Sequence, residues 1–279
     1  MQQPHKVYFI GAGPGDPDLL TVKATKILQK ADVVITDRLV SEEILQEYVP
    51  FSAQVIAVGK QGGSNASTSQ QEINELLLEK AAFHKTVVRL KGGDTSLFSN
   101  ILDELLALNA AGIAYEIIPG ITALSGASAY TGIPLTAREH ATGVRILTYY
   151  KSSAIAPDAW RELAEMKDTL VLYMSAASLP EVVNNLLQHG ADEATPFVVV
   201  EQATTPNQYV YCATLQQYKS ESPQEFISPS LVIIGKVASL YHQFAWLPNN
   251  KERVPYFTPL DTLTELFNDI KNGNNVSRA

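Results

Sequence analysis

The segment Thr86-Val-Val-Arg-Leu-Lys-Gly-Gly-Asp94 joins an apolar, β-branched run to a glycine turn and a carboxylate. The run predicts a buried strand, and the turn follows at its carboxyl end. Open α/β sheets bind ligands at that edge, and glycine lets a ligand approach the main chain. We therefore predict that Gly92, Gly93 and Asp94 form the floor of a cofactor site. A plain Gly-Gly turn with a helix cap is equally consistent with this segment alone.

Apolar runs that alternate with helical patterns surround this segment. The predicted strands of the first half lie at residues 7–11, 33–36, 55–58, 86–90 and 115–118. Apolar residues at helical spacing separate them, and Ser69 and Glu72 form a capping-box pattern before one such helix. Alternating strands and helices predict an α/β domain whose sheet is mainly parallel and covered on both faces.

Pro119-Gly120 is the predicted hinge to a second domain. The strands predicted there lie at residues 144–148, 169–174, 197–200, 208–212 and 231–234. The last two could run antiparallel, because the stretch between them has no long helix pattern. We thus predict two α/β domains with mainly parallel sheets, at residues 1–118 and 119–246. Residues 247–279 are predicted to be an extension with one short amphipathic helix and a disordered tail.

The composition excludes several functional classes. The chain has 279 residues, 46% of them hydrophobic, and a net charge of −8. It has no apolar run long enough to span a membrane, and we expect no secretory signal, because Met1 to Lys6 is polar. A nucleic-acid or anionic-membrane surface needs a basic footprint that this chain lacks. The single cysteine, Cys212, excludes an intrachain disulfide and indicates no metal cluster. We expect a cytoplasmic protein that binds neither nucleic acid, membrane nor metal.

A second glycine-rich turn, Gly11-Ala-Gly-Pro-Gly-Asp16, follows the first predicted strand. It resembles a dinucleotide-binding turn, and Asp37 ends the next strand where a ribose-binding acid is expected. Two residues oppose this interpretation. Asp16 replaces the third glycine and would face a pyrophosphate with negative charge, and Pro14 removes an N–H donor. The turn is therefore predicted to serve a different ligand.

Six motifs occur in order along the chain. They are Ile10-Gly-Ala-Gly-Pro-Gly-Asp-Pro-Asp-Leu-Leu-Thr21, Thr36-Asp-Arg-Leu-Val40, Val58-Gly-Lys60, Val87-Val-Arg-Leu-Lys-Gly-Gly-Asp94, Ile118-Pro-Gly-Ile-Thr-Ala123 and Gly132-Ile-Pro-Leu-Thr136. Together they resemble the tetrapyrrole methylase family, over roughly residues 6 to 245. Six ordered motifs are far more specific than a single glycine loop.

The resemblance implies two α/β domains with S-adenosylmethionine bound in the cleft between them, and a homodimer. The implied reaction methylates uroporphyrinogen III, a tetrapyrrole, through precorrin-1 to precorrin-2 in siroheme and cobalamin biosynthesis, and leaves S-adenosylhomocysteine. Carried over by motif, the cofactor-binding residues are Pro14, Gly92, Gly93, Asp94, Leu97, Thr122, Ala123, Met174 and Ala203. Asp37 is implied as a proton acceptor and Lys60 as a proton donor.

A polycarboxylate substrate calls for basic residues that bind its carboxylates. The candidates are Arg38, Arg89, Lys91, Arg138 and Lys151. The family's loop after Gly-Gly-Asp usually contains an arginine, whereas Thr95-Ser-Leu-Phe-Ser-Asn100 stands here. Two alternatives therefore stay open. The acceptor is a different precorrin, or the chain binds the cofactor but has lost catalysis.

Overall fold

The computed structural model describes residues 5–59, 68–150, 155–221, 224–259 and 262. These residues group into two units by their contacts. The first unit contains the described residues of Met1–Thr122 and of Phe257–Ala279, and the second contains those of Ala123–Tyr256. The contacts divide the chain after Thr122 and group residues 247–256 with the second unit. The predicted domain boundaries after residues 118 and 246 stay predictions.

The sheet of the first unit contains β1 (Lys6–Gly11), β2 (Val33–Asp37), β3 (Gln54–Val58), β4 (Thr86–Lys91) and β5 (Ala114–Ile118). Their order across the sheet is β3-β2-β4-β1-β5, and every pairing is parallel. The prediction of a mainly parallel sheet is confirmed for this unit. Because the strands are parallel, the loops that follow β1, β2, β4 and β5 all leave the same edge.

Helices cover both faces of this sheet. They are α1 (Val22–Leu28), α2 (Glu42–Tyr48), α3 (Gln70–Phe83) and α4 (Ile101–Ala110). Ile10 and Val34 pack with α1 and α2 in one cluster, whereas Phe9 and Ile35 pack with α3 and α4 in another. Successive strand residues therefore face opposite cores, as the period of two requires. At the start of α3, the Ser69 hydroxyl accepts from the Glu72 amide at 3.2 Å, which forms the predicted capping box.

The sheet of the second unit contains β6 (Val144–Thr148), β7 (Thr169–Tyr173), β8 (Pro196–Glu201), β9 (Tyr209–Thr214) and β10 (Ser230–Ile234). The order is β6-β7-β10-β8-β9. Only β6 and β7 pair in parallel, while β10 runs antiparallel to both β7 and β8, and β9 runs antiparallel to β8. The prediction of a mainly parallel sheet is thus wrong for this unit. A short loop from β8 to β9 permits antiparallel pairing, whereas a parallel pair needs a long crossover.

The helices of the second unit are α5 (Ala123–Thr131), α6 (Ala159–Glu165), α7 (Leu179–Gln188), α8 (Leu215–Ser220) and α9 (Tyr241–Phe244). Two buried clusters line the faces of the sheet. One contains Trp160 and Leu186, and the other contains Leu124 and Val200. The α/β class is confirmed for both units, because each combines a sheet with helices that bury its faces.

Residues 247–256 form a strap on the second unit. Asn249 donates to the Val210 carbonyl at 2.9 Å and accepts from the Val210 amide at 2.8 Å. Its side chain therefore pairs both main-chain groups of Val210 on the outer edge of β9. Further along, Arg253 pairs with the fully buried Glu201 at 2.5 Å. These contacts explain why the strap packs with the second unit. The helix predicted around residues 260–270 and the tail lie outside the described residues, apart from residue 262.

Among the described residues, none of the helices combines the length and the apolar character that crossing a bilayer requires.

Three glycines bring the loops after β1, β4 and β5 into backbone contact. A Cβ atom on Gly11 would lie 2.6 Å from the Gly120 nitrogen and 2.7 Å from the Gly93 carbonyl oxygen. A Cβ atom on Gly120 would lie 2.7 Å from the Gly11 Cα and would also meet the Gly93 oxygen. Any side chain larger than hydrogen would push these backbones apart. We call Gly11, Gly93 and Gly120 the glycine junction.

Gly120→Ala should lower the free energy of unfolding through this collision alone, because Gly120 does not have a left-handed backbone. Gly112→Ala is the matched control, since Gly112 has a φ of +66° and a Cβ atom added there would meet nothing within 4 Å. The control should cost about 1–2 kcal/mol. Gly120→Ala should cost roughly 1–3 kcal/mol in urea unfolding through overpacking. A Gly120→Ala variant as stable as the wild type would show that the junction tolerates a methyl group.

Candidate functional site

The predicted Gly-Gly-Asp turn is packed against the chain's own backbone. Gly93 donates to the Gly13 carbonyl at 2.7 Å and accepts from the Gly13 amide at 3.0 Å, with a φ of +71° that favours glycine. A Cβ on Gly92 would lie 2.8 Å from both the Cβ and the carbonyl oxygen of Leu39. The space beside Gly92 is thus filled by the loop after β2. Packing alone explains glycine at both positions, and their contact with a cofactor stays a prediction.

Asp94 connects the loop after β4 to the loop after β5. Its Oδ1 accepts from the Ser96 amide at 2.9 Å and from the Ser96 hydroxyl. Its Oδ2 accepts from the Gly120 amide at 3.0 Å. Burial alone would raise the pKa of Asp94, but these hydrogen bonds outweigh it and the pKa lies below the ordinary value. The carboxylate is therefore charged at neutral pH and fixed in position.

A buried ion-pair network lies below this edge. Arg89, which is 2% exposed, donates to Asp37 at 2.6 Å and to Glu104 at 3.1 Å. Lys91 donates to the same oxygen of Glu104, also at 3.1 Å. The network thus contains two cations and two carboxylates, carried by β2, β4 and α4.

Burial and the neighbouring charges shift the pKa values of the two cations in opposite directions. Burial lowers the pKa of Lys91, and the charge of Arg89 lowers it further. For Arg89, burial is outweighed by Asp37 and Glu104, so its pKa is raised. The Oε2 atom of Glu104 is buried and has no hydrogen-bond partner among the described residues. Both cations are therefore paired with internal carboxylates, which does not favour substrate binding, and their predicted role stays a prediction.

Asp37 stands at the exposed end of the network. Its side chain is 28% exposed, so one carboxylate is both held by Arg89 and open to solvent. Asp37 also ends β2, at the same edge of the sheet as the glycine junction. Its predicted role as a proton acceptor is compatible with this placement and stays a prediction.

The other basic candidates occupy different environments. Arg38 is half-buried and follows Asp37 directly, whereas Arg138 is exposed in the second unit. Lys60 and Lys151 lie outside the described residues.

Three further cofactor candidates belong to the first unit. Pro14 is buried, and Leu97 and Thr122 are half-buried.

Two of the three candidates in the second unit lie after strand ends where the backbone is strained. Met174 follows β7 with a φ of +53° and is 55% exposed. Ala203 follows β8 between Gln202 and Thr204, whose φ values are +48° and +70°. Left-handed conformations of residues other than glycine cost free energy and cluster at functional sites. Ala123 is the first residue of α5.

Two features of this region were missed in the sequence. Glu104 lies on the apolar stripe of α4 with Leu108, and an acid on such a stripe is a sign of a buried ion pair. Gly11 ends one apolar strand and Gly120 follows another, but no pattern in the sequence shows that the two glycines touch. Close approach of two loops depends on the sheet order.

Comparisons with known proteins give consistent results. The family model described as Tetrapyrrole (Corrin/Porphyrin) Methylases matches residues 6–219. The siroheme synthase of Acinetobacter baylyi is 46% identical over 243 residues, which are 87% of this chain and 53% of that protein. The chain thus spans about half the length of the curated relatives it matches.

Two solved structures are also similar. The uroporphyrin-III C-methyltransferase of Thermus thermophilus, complexed with S-adenosyl homocysteine, matches with a TM-score of 0.72 and 37% identity, over 84% of this chain and 99% of that one. A cobalt precorrin-4 methyltransferase matches with a TM-score of 0.71 and 30% identity, over 84% of this chain and 96% of that one.

Glu104→Gln should lower the free energy of unfolding by about 3–5 kcal/mol, because it leaves two buried cations with one carboxylate. Asp103→Asn removes an exposed charge from the neighbouring position of α4 and should change stability by less than about 0.5 kcal/mol. Urea unfolding at neutral pH measures both. If the two midpoints coincide, the Glu104 carboxylate contributes no net stability.

Proposed function

Because the chain belongs to the tetrapyrrole methylase family, we propose that it is an S-adenosylmethionine-dependent uroporphyrinogen-III C-methyltransferase. It would convert uroporphyrinogen III to precorrin-2 through precorrin-1. The observation that carries this proposal is the match to a uroporphyrin-III C-methyltransferase, which covers 99% of that chain at 37% identity. The whole relatives are about twice as long, so any further activity of theirs lies outside this proposal.

Two observations on the described residues fit this cofactor. Asp94 is charged and held by Ser96 and Gly120, and a fixed carboxylate suits a cationic ligand. Met174 is an exposed apolar side chain on a strained backbone, which suits an apolar part of a ligand. We propose that both contact the cofactor, together with Pro14, Gly92, Gly93, Leu97, Thr122, Ala123 and Ala203.

Methyl transfer depends mainly on the alignment of the two reactants and on the exclusion of water. When bound, the cofactor would supply an electrophilic methyl group on a sulfonium. A nucleophilic ring carbon of the tetrapyrrole would take this methyl group, and S-adenosylhomocysteine would leave as the neutral thioether. Positioning can supply roughly 7–11 kcal/mol of the barrier. The glycine junction and Asp94 fix the loops after β1, β4 and β5 against one another. The rigid backbone of these loops is the chain's main contribution to alignment.

Asp37 is proposed to accept the proton that the tetrapyrrole macrocycle loses after methylation. Arg89 holds its carboxylate at 2.6 Å, while more than a quarter of the side chain is exposed. This combination positions a base without burying it. Lys60 is proposed as the proton donor, on the family resemblance alone.

A different precorrin is the second candidate for the acceptor. The loop from Thr95 to Asn100 has no basic residue, and Phe98 and Asn100 both have left-handed backbones, with φ values of +54° and +51°. This loop differs from the usual family loop, so the carboxylate pattern that it accepts can also differ. The cobalt precorrin-4 methyltransferase has a similar fold and acts on a later intermediate by its name.

Incubation with methyl-labelled S-adenosylmethionine and uroporphyrinogen III tests the proposal. Mass analysis of the tetrapyrrole should show one and then two added methyl groups. A chain that binds the cofactor but methylates only a later precorrin supports the second candidate. A chain that binds the cofactor and methylates neither has lost catalysis. The homodimer and the cytoplasmic location are further proposals, which sedimentation and fractionation test.

Asp37→Asn should slow methyl transfer by about 10²–10⁴-fold, because it removes the proton acceptor. Binding of S-adenosylhomocysteine should be unchanged, since cofactor alignment does not use Asp37. Single-turnover kinetics and calorimetric titration measure the two effects separately. Asp103→Asn is the control and should match the wild type in both. A rate for Asp37→Asn within twofold of the wild type would contradict the proposed role.

A further inference from the structure

Arg38 differs from the charged residues around it because it has no partner in the part of the chain that the structure describes. It is half-buried, yet its guanidinium makes no hydrogen bond or ion pair with any residue that the structure describes. The neighbouring charges are already paired. Arg89 is bound to Asp37 and Glu104, and Lys91 is bound to Glu104. Arg38 is therefore a surplus positive charge beside a balanced network.

The fold holds the backbone of Arg38 at the predicted ligand-binding edge. Asp37, the preceding residue, ends β2, and the Val40 amide donates to the Asp37 carbonyl at 3.2 Å to close a turn. The next residue, Leu39, fills the space beside Gly92. Arg38 thus lies in a short turn that is packed against the Gly-Gly-Asp segment. Backbone contacts define its position, and Arg38 forms no ion pair with the described residues.

Burial without a partner is unfavourable for a guanidinium. Burial lowers the pKa of Arg38, and no nearby carboxylate among the described residues opposes the effect. A carboxylate that arrives with a ligand would supply two parallel hydrogen bonds in the planar geometry that arginine prefers. The cost of holding the cation partly out of water would then be recovered on binding.

We propose that Arg38 binds a carboxylate of a ligand at the carboxyl edge of the first unit. The inference rests on the proposed function, because both proposed ligands carry carboxylates. The tetrapyrrole has them on its ring side chains, and the cofactor has one on its methionine part. We assign the tetrapyrrole carboxylate to Arg38. Arg89 and Lys91 are committed to Glu104, and the loop Thr95–Asn100 supplies no cation.

Arg38→Gln tests the assignment, with Lys30→Gln as the matched control. Lys30 is exposed and precedes β2, whereas Arg38 follows it. Each variant loses one positive charge from the same unit. The full-length chain is titrated separately with uroporphyrin III, the oxidised porphyrin with the same carboxylates, and with S-adenosylhomocysteine. Arg38→Gln should weaken uroporphyrin III binding about tenfold or more. Its affinity for S-adenosylhomocysteine should stay within twofold of the wild type.

Two further measurements separate binding from a structural role. Arg38→Lys should bind uroporphyrin III with intermediate affinity, because an ammonium cannot form the two parallel bonds. Arg38→Gln should be at least as stable as the wild type in urea, since it removes a cation that has no partner among the described residues. A marked loss of stability in Arg38→Gln would identify a structural residue and overturn the inference.

Three other outcomes of the two ligand titrations can be told apart. A loss confined to S-adenosylhomocysteine binding would keep Arg38 as a carboxylate-binding residue but overturn its assignment to the tetrapyrrole. Unchanged affinity for both ligands, in a chain that still methylates uroporphyrinogen III, would overturn the inference and leave the proposed function intact. A wild-type chain that binds neither ligand would overturn both.

Discussion

The contact among Gly11, Gly93 and Gly120 determines the geometry of the first unit's ligand-facing edge. These residues follow or end three neighbouring strands, and their backbones approach to distances that leave no space for a Cβ atom. The bridge between Gly13 and Gly93 and the bond from Gly120 to Asp94 depend on that approach. Because each loop is fixed by the other two, the edge is held by main-chain contacts that do not require a bound ligand. Pre-organisation of this kind is what a transferase that works by alignment needs.

Charge is arranged in two layers at this edge. The deeper layer contains Arg89, Lys91 and Glu104, and Asp37, whose side chain reaches the outer layer, supplies the second negative charge that balances the two cations. The outer layer keeps groups that are only partly covered, including the carboxylate of Asp37 and the guanidinium of Arg38. Because these ion pairs use most of the charges at this edge, only a few partly exposed side chains remain for binding and catalysis. The pairing also explains why a basic residue inside a strand is a poor indicator of substrate binding.

Local sequence patterns predicted the elements better than their pairing. The apolar runs predicted the described strands to within a few residues, because burial of a β-branched segment is a local property. The sequence left open that β9 and β10 run antiparallel, but it did not predict the place of β10 in the sheet. This strand inserts between β7 and β8, and that choice depends on long-range packing. In the candidate site, the Gly-Gly-Asp turn was predicted, but its partners Gly13 and Leu39 were not. The apolar stripe of α4 already contained Glu104, so the buried network was partly encoded in a visible pattern.

The strap of residues 247–256 has a practical meaning for dissection of the protein. Glu201 is fully buried and finds its counter-charge only in Arg253 among the described residues, while β9 uses Asn249 to complete its outer edge. A fragment that stops at Trp246, where the chain turns polar, would retain every described strand of the second sheet but would leave an unpaired anion in its interior. The smallest autonomous version of this half should therefore extend through Tyr256, whose amide donates to Gln202 at 2.6 Å.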